Sequence, residues 1–273
     1  MVFNPLHDTH LPMTSLKSGD GHEVISDVYC LPDRIVNVYL VGAPGSREWV
    51  LIDAGMPGSE ERIRHAAEER FGADTPPRAI VLTHGHFDHV GAAVELAEHW
   101  DVPVYAHARE LPYLTGRESY PGPWTDVGGG LISRLARFFP DQPVDLGERV
   151  RSLPEDGSIP PLPEWQWVPT PGHTPGHVSL FRPADRALIA GDAFVTVQQE
   201  SLYKVFTQHR ELSGPPRYFT VDWDAARASV GRLAALGPSV AMTGHGMAMA
   251  GDELNQRLND LYLRFDELAV PRH

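Results

Sequence analysis

The chain has 273 residues, 42% of them hydrophobic and 22% charged, an ordinary globular composition with room for one large domain or two small ones. Acidic residues outnumber basic ones, 36 to 23, and the formal net charge of −13 excludes a diffuse basic footprint for nucleic acid or an anionic membrane. A single cysteine, Cys30, excludes an intrachain disulfide framework and any multi-thiolate metal site, and no apolar run reaches the roughly 18 residues of a membrane span.

Residues 1–23 are polar and irregular and read as a surface-draped lead-in. Met1 to Thr14 lack a basic region followed by an apolar core, so the expectation is a cytoplasmic chain without a secretory leader. Ile35–Val41 and Trp49–Ile52 read as a hairpin around Ala43-Pro44-Gly45-Ser46. Ser59 is placed to cap a helix with Glu60 and Glu61 at its positive end and Ile63, Ala67 and Phe71 as its buried stripe. Ala79–Leu82 is a short apolar strand. It runs into Thr83-His84-Gly85-His86-Phe87-Asp88-His89, then a helix with Val90, Val94 and Ala97 on one face, then a strand at Val102–Ala106. Strand, helix and strand in that rhythm predict an α/β layered architecture.

Residues 110–163 are rich in Pro and Gly and read as an elaborated excursion with one short helix at Leu131–Phe139. Strands return at Trp165–Val168, Val178–Phe181 and Ala187–Ala190. A helix over Asp224–Leu236 ends at Gly237-Pro238, and Ser239–Met242 is a strand. Asp252 is expected to cap a last helix with Leu254, Leu258, Leu261, Phe265 and Leu268 as its stripe.

Fourteen histidines exceed ordinary usage and invite a metal reading. Four potential ligands, His84, His86, Asp88 and His89, lie within six residues directly after a buried strand. On a regular strand His89 would face away; a turn at Gly85 and the start of the next helix can bring all four to one point. Imidazole and carboxylate donors suit zinc, iron or manganese. His173 in Thr170-Pro171-Gly172-His173-Thr174-Pro175-Gly176-His177, Asp192 in Gly191-Asp192 and His245 in Thr243-Gly244-His245-Gly246 also follow strands, beside glycines that permit close backbone approach.

This set, in this order, resembles the ligand set of the metallo-β-lactamase superfamily, and Asp53 in Leu51-Ile52-Asp53-Ala54-Gly55 resembles its early aspartate motif. The resemblance implies a four-layer αββα sandwich: one metallo-β-lactamase-like domain over residues 1–273, with loop excursions at about 110–163 and 195–222. By the same resemblance, His84, His86 and His173 bind a first metal and Asp88, His89 and His245 a second. Asp192 bridges the two, and Asp53 orients the His84–His89 loop. His177 is expected to support the site without ligating.

The implied activity is that of a binuclear hydrolase with two divalent ions, zinc first and iron or manganese as alternatives. A metal-bridging hydroxide cleaves an ester, lactone, thioester or β-lactam bond of a small molecule. Asp88 is the expected proton carrier to the leaving group. The motifs resemble the glyoxalase II-like and lactonase-like branches. Val195 stands where the acyl-homoserine lactonase type carries a tyrosine, and a basic cluster for a glutathione carboxylate is lacking. The alternatives are a mononuclear iron enzyme of persulfide-dioxygenase type and a non-catalytic metal-binding module. Tyr120, Trp124, Phe138 and Phe139 in the first excursion, with Gln198, Tyr203, Lys204, Phe206 and His209 in the second, are placed to shape the pocket. Tyr203 and Phe206 are the expected substrate-binding residues. The expected partner is a small-molecule substrate, not nucleic acid or a membrane.

Overall fold

Val36–Val41, Val178–Arg182 and Ala187–Gly191 are each buried along their whole length. Strands buried on both faces need packed layers on both sides. The computed structural model describes residues 18–122, 144–197 and 211–271. Among these, seven strands form one sheet in spatial order: β1 (His22–Ile25), β2 (Val28–Asp33), β3 (Val36–Val41), β4 (Val50–Ile52), β5 (Ile80–Val81), β6 (Val104–Ala106) and β7 (Val150–Ser152). β1 to β4 pair antiparallel, and β4 to β7 pair parallel. A second sheet has the order β12 (Met249–Ala250), β11 (Val240–Thr243), β10 (Ala187–Gly191), β9 (Val178–Arg182) and β8 (Gln166–Pro169). Its pairs are antiparallel except β10 with β11, which are parallel.

The period of two along each strand divides the core into three apolar layers. Leu40, Leu51 and Ile80 pack outward on Ile63, Ala67 and Phe71 of α1 (Glu60–Phe71) and on Leu96 and Ala97 of α3 (Ala93–Trp100). Their alternates Tyr39, Val41, Ile52 and Val81 face Leu180, Ile189 and Met242 of the second sheet. On the far side, Phe181, Leu188 and Ala241 meet Val230 and Leu233 of α5 (Trp223–Ala235), and Leu254 and Leu258 of α6 (Gly251–Leu263). Helix, sheet, sheet and helix is the expected αββα sandwich. Among the described residues the other α-helices are the single turns α2 (Phe87–Val90), α4 (Leu111–Leu114) and α7 (Phe265–Leu268).

Several local expectations are corrected. Ser59 does not cap α1 through its side chain; its hydroxyl donates to buried Asp33, which also accepts from the Met56 amide. The helix after His89 is two helices, α2 and α3, separated at Gly91 and Ala92. Asp252 lies in the first turn of α6, with Ala250 at the cap position. The last helix breaks at Arg264 (φ −113°, ψ 27°), so its apolar stripe is carried by α6 and α7. The excursion at 110–163 contains α4 and also β7, which extends the first sheet. Its expected helix at Leu131–Phe139 lies outside the described residues, as does most of the lead-in.

The sheet topology gathers one set of ends. β4, β5, β10 and β11 deliver Asp53, His84, Asp192 and His245 at a common edge, and antiparallel β3 and β9 begin there. The sheets are tied together at that edge. Asn37 Nδ2 donates to the Thr243 and Gly246 carbonyls, Tyr39 Oη donates to the Thr243 carbonyl, and the Val178 amide donates to the Thr83 carbonyl.

Candidate metal centre

Asp53 sits just past β4 with φ +60°, a left-handed conformation that aspartate tolerates better than most side chains. Its carboxylate accepts from the Thr83 amide (2.8 Å), the Thr83 hydroxyl (2.9 Å) and His89 Nδ1 (2.8 Å). One buried carboxylate thereby holds both the start and the end of the loop carrying His84, His86, Asp88 and His89.

Hydrogen bonds settle which ring nitrogens are free. The Thr83 hydroxyl donates to Asp53, so at His84 Nδ1 (3.0 Å) it accepts, and His84 Nε2 keeps its lone pair. His89 spends Nδ1–H on Asp53, and His245 spends Nδ1–H on the Ile35 carbonyl (2.7 Å). Thr220 donates to the Pro216 carbonyl, so it accepts from His173 Nδ1 (3.3 Å). Four rings therefore turn Nε2 inward. His86 is the exception: its Nδ1 lies 2.9 Å from His173 Nε2, and its ring is flanked by Tyr120 and Phe219.

The inward nitrogens meet two carboxylates. Asp192 Oδ2 lies 3.2 Å from His245 Nε2, 3.5 Å from His173 Nε2 and 3.6 Å from His89 Nε2. Asp88 Oδ2 lies 3.5 Å from His245 Nε2 and 4.0 Å from His89 Nε2. Three triads have donor atoms within 4.8 Å of one another: His84–His86–His173, His84–His89–Asp192 and Asp88–His89–His245. All seven residues are buried.

The charge distribution is uneven. Burial, reinforced by neighbouring imidazoles, pushes His84 and His173 well below the ordinary histidine value and His86 to about 3, so this side holds neutral rings. Burial opposes protonation of His89 and His245 too, but Asp192 together with nearby carboxylates outweighs it and raises both. Burial also raises Asp88, whereas at Asp192 the pull of His245 and His89 overcomes burial and holds the carboxyl well below its usual range.

The donor set fits divalent ions. Five buried side-chain polar atoms lack a hydrogen-bond partner among the described residues, and three of them are His84 Nε2, His89 Nε2 and Asp192 Oδ1. Orphaned buried atoms are costly unless something binds them. Gly244 adds a steric requirement: a Cβ there would collide with Asp192 Oδ1 and approach His89 Cε1 at 2.7 Å.

A family model for the metallo-beta-lactamase superfamily matches residues 31–245. The chain belongs to that superfamily. A probable metallo-hydrolase of Bacillus subtilis, YflN, is 48% identical over 264 residues, 96% of this chain and all of the relative. The hydroxyacylglutathione hydrolase GloC of Haemophilus influenzae is 31% identical over 142 residues, 52% of this chain and 59% of its own. The crystal structure of TTHA1623 in a di-iron-bound form is 32% identical with a TM-score of 0.54, covering 79% of this chain and 89% of its own.

Beyond the superfamily motifs, His177 takes a supporting role that the hydrogen bonds spell out. The Asp192 amide donates to His177 Nε2 (2.9 Å), which puts the ring proton on Nδ1, facing Thr170 Oγ1 at 2.8 Å. Ser179 donates to the Ala190 carbonyl (2.8 Å) and so accepts from the Thr170 hydroxyl (3.0 Å). The relay runs from the Asp192 amide back to the Ala190 carbonyl and pins the turn that aims Asp192. Burial, above all, pushes the His177 ring down to about 4, which keeps it in this neutral form. Tyr203 and Phe206 lie outside the described residues, as do Trp124, Phe138, Phe139, Gln198, Lys204 and His209. Sequence reasoning missed Thr83, Thr220, Phe219 and Glu110. Thr83 alone carries a local signal, standing directly before the His84 motif.

Proposed function

We propose that the chain is a binuclear metal-dependent hydrolase of an ester, lactone, thioester or β-lactam bond in a small molecule. One observation carries this reading. Asp192 Oδ2 lies within 3.6 Å of His173 on one side and of His89 and His245 on the other, and three of the five buried atoms left without partners, His84 Nε2, His89 Nε2 and Asp192 Oδ1, belong to this cluster. In it, His84, His86 and His173 would hold one ion, Asp88, His89 and His245 the other, and Asp192 would serve both. Divalent ions bound there would make hydroxide available at neutral pH and would polarise the substrate's electrophilic oxygen.

The chain's own residues hold and orient. Asp53, Thr220 and the Ile35 carbonyl fix the rings of His89, His173 and His245. Asp88 carries the leaving group's proton: its carboxylate has fewer close nitrogens than Asp192 and is the more exposed of the two. The likeness to a hydroxyacylglutathione hydrolase favours including thioesters. The di-iron form of TTHA1623 keeps iron beside zinc as resident metal.

Metal analysis of the purified chain, followed by a panel of lactones, thioesters, aryl esters, phosphodiesters and β-lactams, tests the reading. Two first-row ions per chain and turnover of a carboxylic acyl substrate are expected. A single iron with oxygen consumption on a persulfide would replace it with the oxygenase reading.

A further inference from the structure

Glu110 is fully buried at the start of α4, and none of the superfamily motifs quoted above contains it. Its carboxylate makes four acceptor contacts. Oε1 accepts from the Gly176 amide (2.7 Å) and the Thr174 hydroxyl (2.9 Å). Oε2 accepts from the Gly85 amide (2.9 Å) and the Tyr120 hydroxyl. The two amides can only donate, so each oxygen must accept, an arrangement that suits a carboxylate.

The partners lie on two loops from different sheets. Gly85 stands between His84 and His86, after β5 of the first sheet. Thr174 and Gly176 follow His173, between β8 and β9 of the second. Glu110 is thus a bridge between the backbones that carry His84, His86 and His173. The approach is close: a Cβ on Gly176 would lie 2.7 Å from Glu110 Oε1. The fourth partner extends the bridge. Tyr120, stacked on Tyr113 (3.9 Å between centroids), lies 4.7 Å from the His86 ring, the one proposed ligand that turns Nδ1 inward. Glu110 therefore sets the spacing of the two loops and, through Tyr120, the tilt of His86.

We propose that Glu110 is the positioning residue of the His84–His86–His173 half of the centre, holding the two loops in register for metal. This rests on the proposed metal centre but reaches a residue outside its ligand set. Glu110→Gln is the discriminating change. An amide can still accept at one atom, but its NH2 would face a backbone N–H, of Gly176 or of Gly85, that can only donate, so one loop is released while size and burial are kept.

The test is Zn2+ titration of the metal-stripped full-length chain against a chromophoric chelator, with far-UV circular dichroism alongside. Wild type is expected to take up two equivalents. Glu110→Gln is expected to bind one of them about 10- to 100-fold more weakly, the other within about threefold, with an unchanged circular dichroism spectrum. Tyr120→Phe, which keeps the ring and loses the hydroxyl's contacts with Glu110 and the Gly85 amide, is expected to weaken the same equivalent by a smaller factor. If Glu110→Gln binds both equivalents as wild type does, the proposal is overturned. If Glu110→Gln does not fold, Tyr120→Phe decides, and wild-type affinity there overturns it equally. A wild-type chain that takes up one equivalent refutes the binuclear reading, while the Glu110→Gln comparison on that equivalent still decides the role of Glu110.

Discussion

Asp192 and Asp88 both face His89 and His245 but have different surroundings. Asp192 Oδ2 faces three imidazole nitrogens within 3.6 Å, and its amide is held by His177. Asp88 has one nitrogen at 3.5 Å and another at 4.0 Å, and no such relay. Held from three sides, Asp192 is suited to stay put, and Asp88 is suited to exchange a proton. Asp88→Asn is therefore expected to lower kcat by about 100-fold or more, the usual worth of a positioned acid–base group. The melting temperature of the metal-free chain should stay at or above that of wild type, since burial disfavours the Asp88 charge by more than His89 and His245 favour it. Steady-state kinetics with calorimetry on the stripped chain would check both. Wild-type turnover on every active substrate would deny Asp88 the role.

At the scale of elements, the β9–β10 hairpin is clamped at the end remote from the metal centre. Arg182, at the end of β9, binds Asp185 with Nε (2.9 Å) and Nη2 (2.7 Å), reaches Asp27 between β1 and β2, and lies over Trp165. The hydrogen bonds from Arg182 hold Asp185 below the usual carboxylate range. A depressed carboxyl stabilises the fold above its unfolded value, about 3.9, and loses that contribution as pH falls through the folded value. Asp185 is 46% exposed, so screening limits the effect to less than about 1 kcal/mol. Asp185→Asn should thus melt slightly below wild type at pH 6, with the difference smaller at about pH 3. Scanning calorimetry at both values reads this; an equal difference at the two would exclude the carboxylate as its source.

The same scale explains what was legible in the sequence. The His84–His89 cluster could be read because its donors are local and follow an apolar strand. Buried strands such as β3, β9 and β10 could be read because each is an apolar run. β7 and β12 could not: Val150-Arg151-Ser152 and Met249-Ala250 carry no pattern and are strands only because an existing sheet edge receives them. The break at Arg264 was hidden because an apolar stripe continues across it. Glu110 was illegible for a related reason, its partners Thr174 and Gly176 being 64 and 66 residues away. Long-range hydrogen bonds leave no mark on local periodicity.

At the scale of the whole molecule, the proposed ligands divide between the sheets. His84, His86, Asp88 and His89 follow β5 of the first; His173, Asp192 and His245 follow or precede strands of the second. Each proposed ion thus takes ligands from both sheets and joins them at an edge where Asn37, Tyr39 and Val178 already make direct ties. An unfolded chain cannot present this set at one point, so metal binding adds directly to folding stability. With free ion at about 100 times Kd, a single site contributes about 2.7 kcal/mol. For a chain of this size that corresponds to a melting shift of about 5–10 °C. Stripping the chain with a chelator and confirming the loss by metal analysis should lower the melting temperature by at least that much, and returning Zn2+ should restore it. Because the direct ties and the inter-sheet core of Tyr39, Ile52, Leu180 and Ile189 remain, the stripped chain should still melt cooperatively. An unchanged melting temperature after verified stripping would mean that the ions do not join the sheets, whatever their part in catalysis.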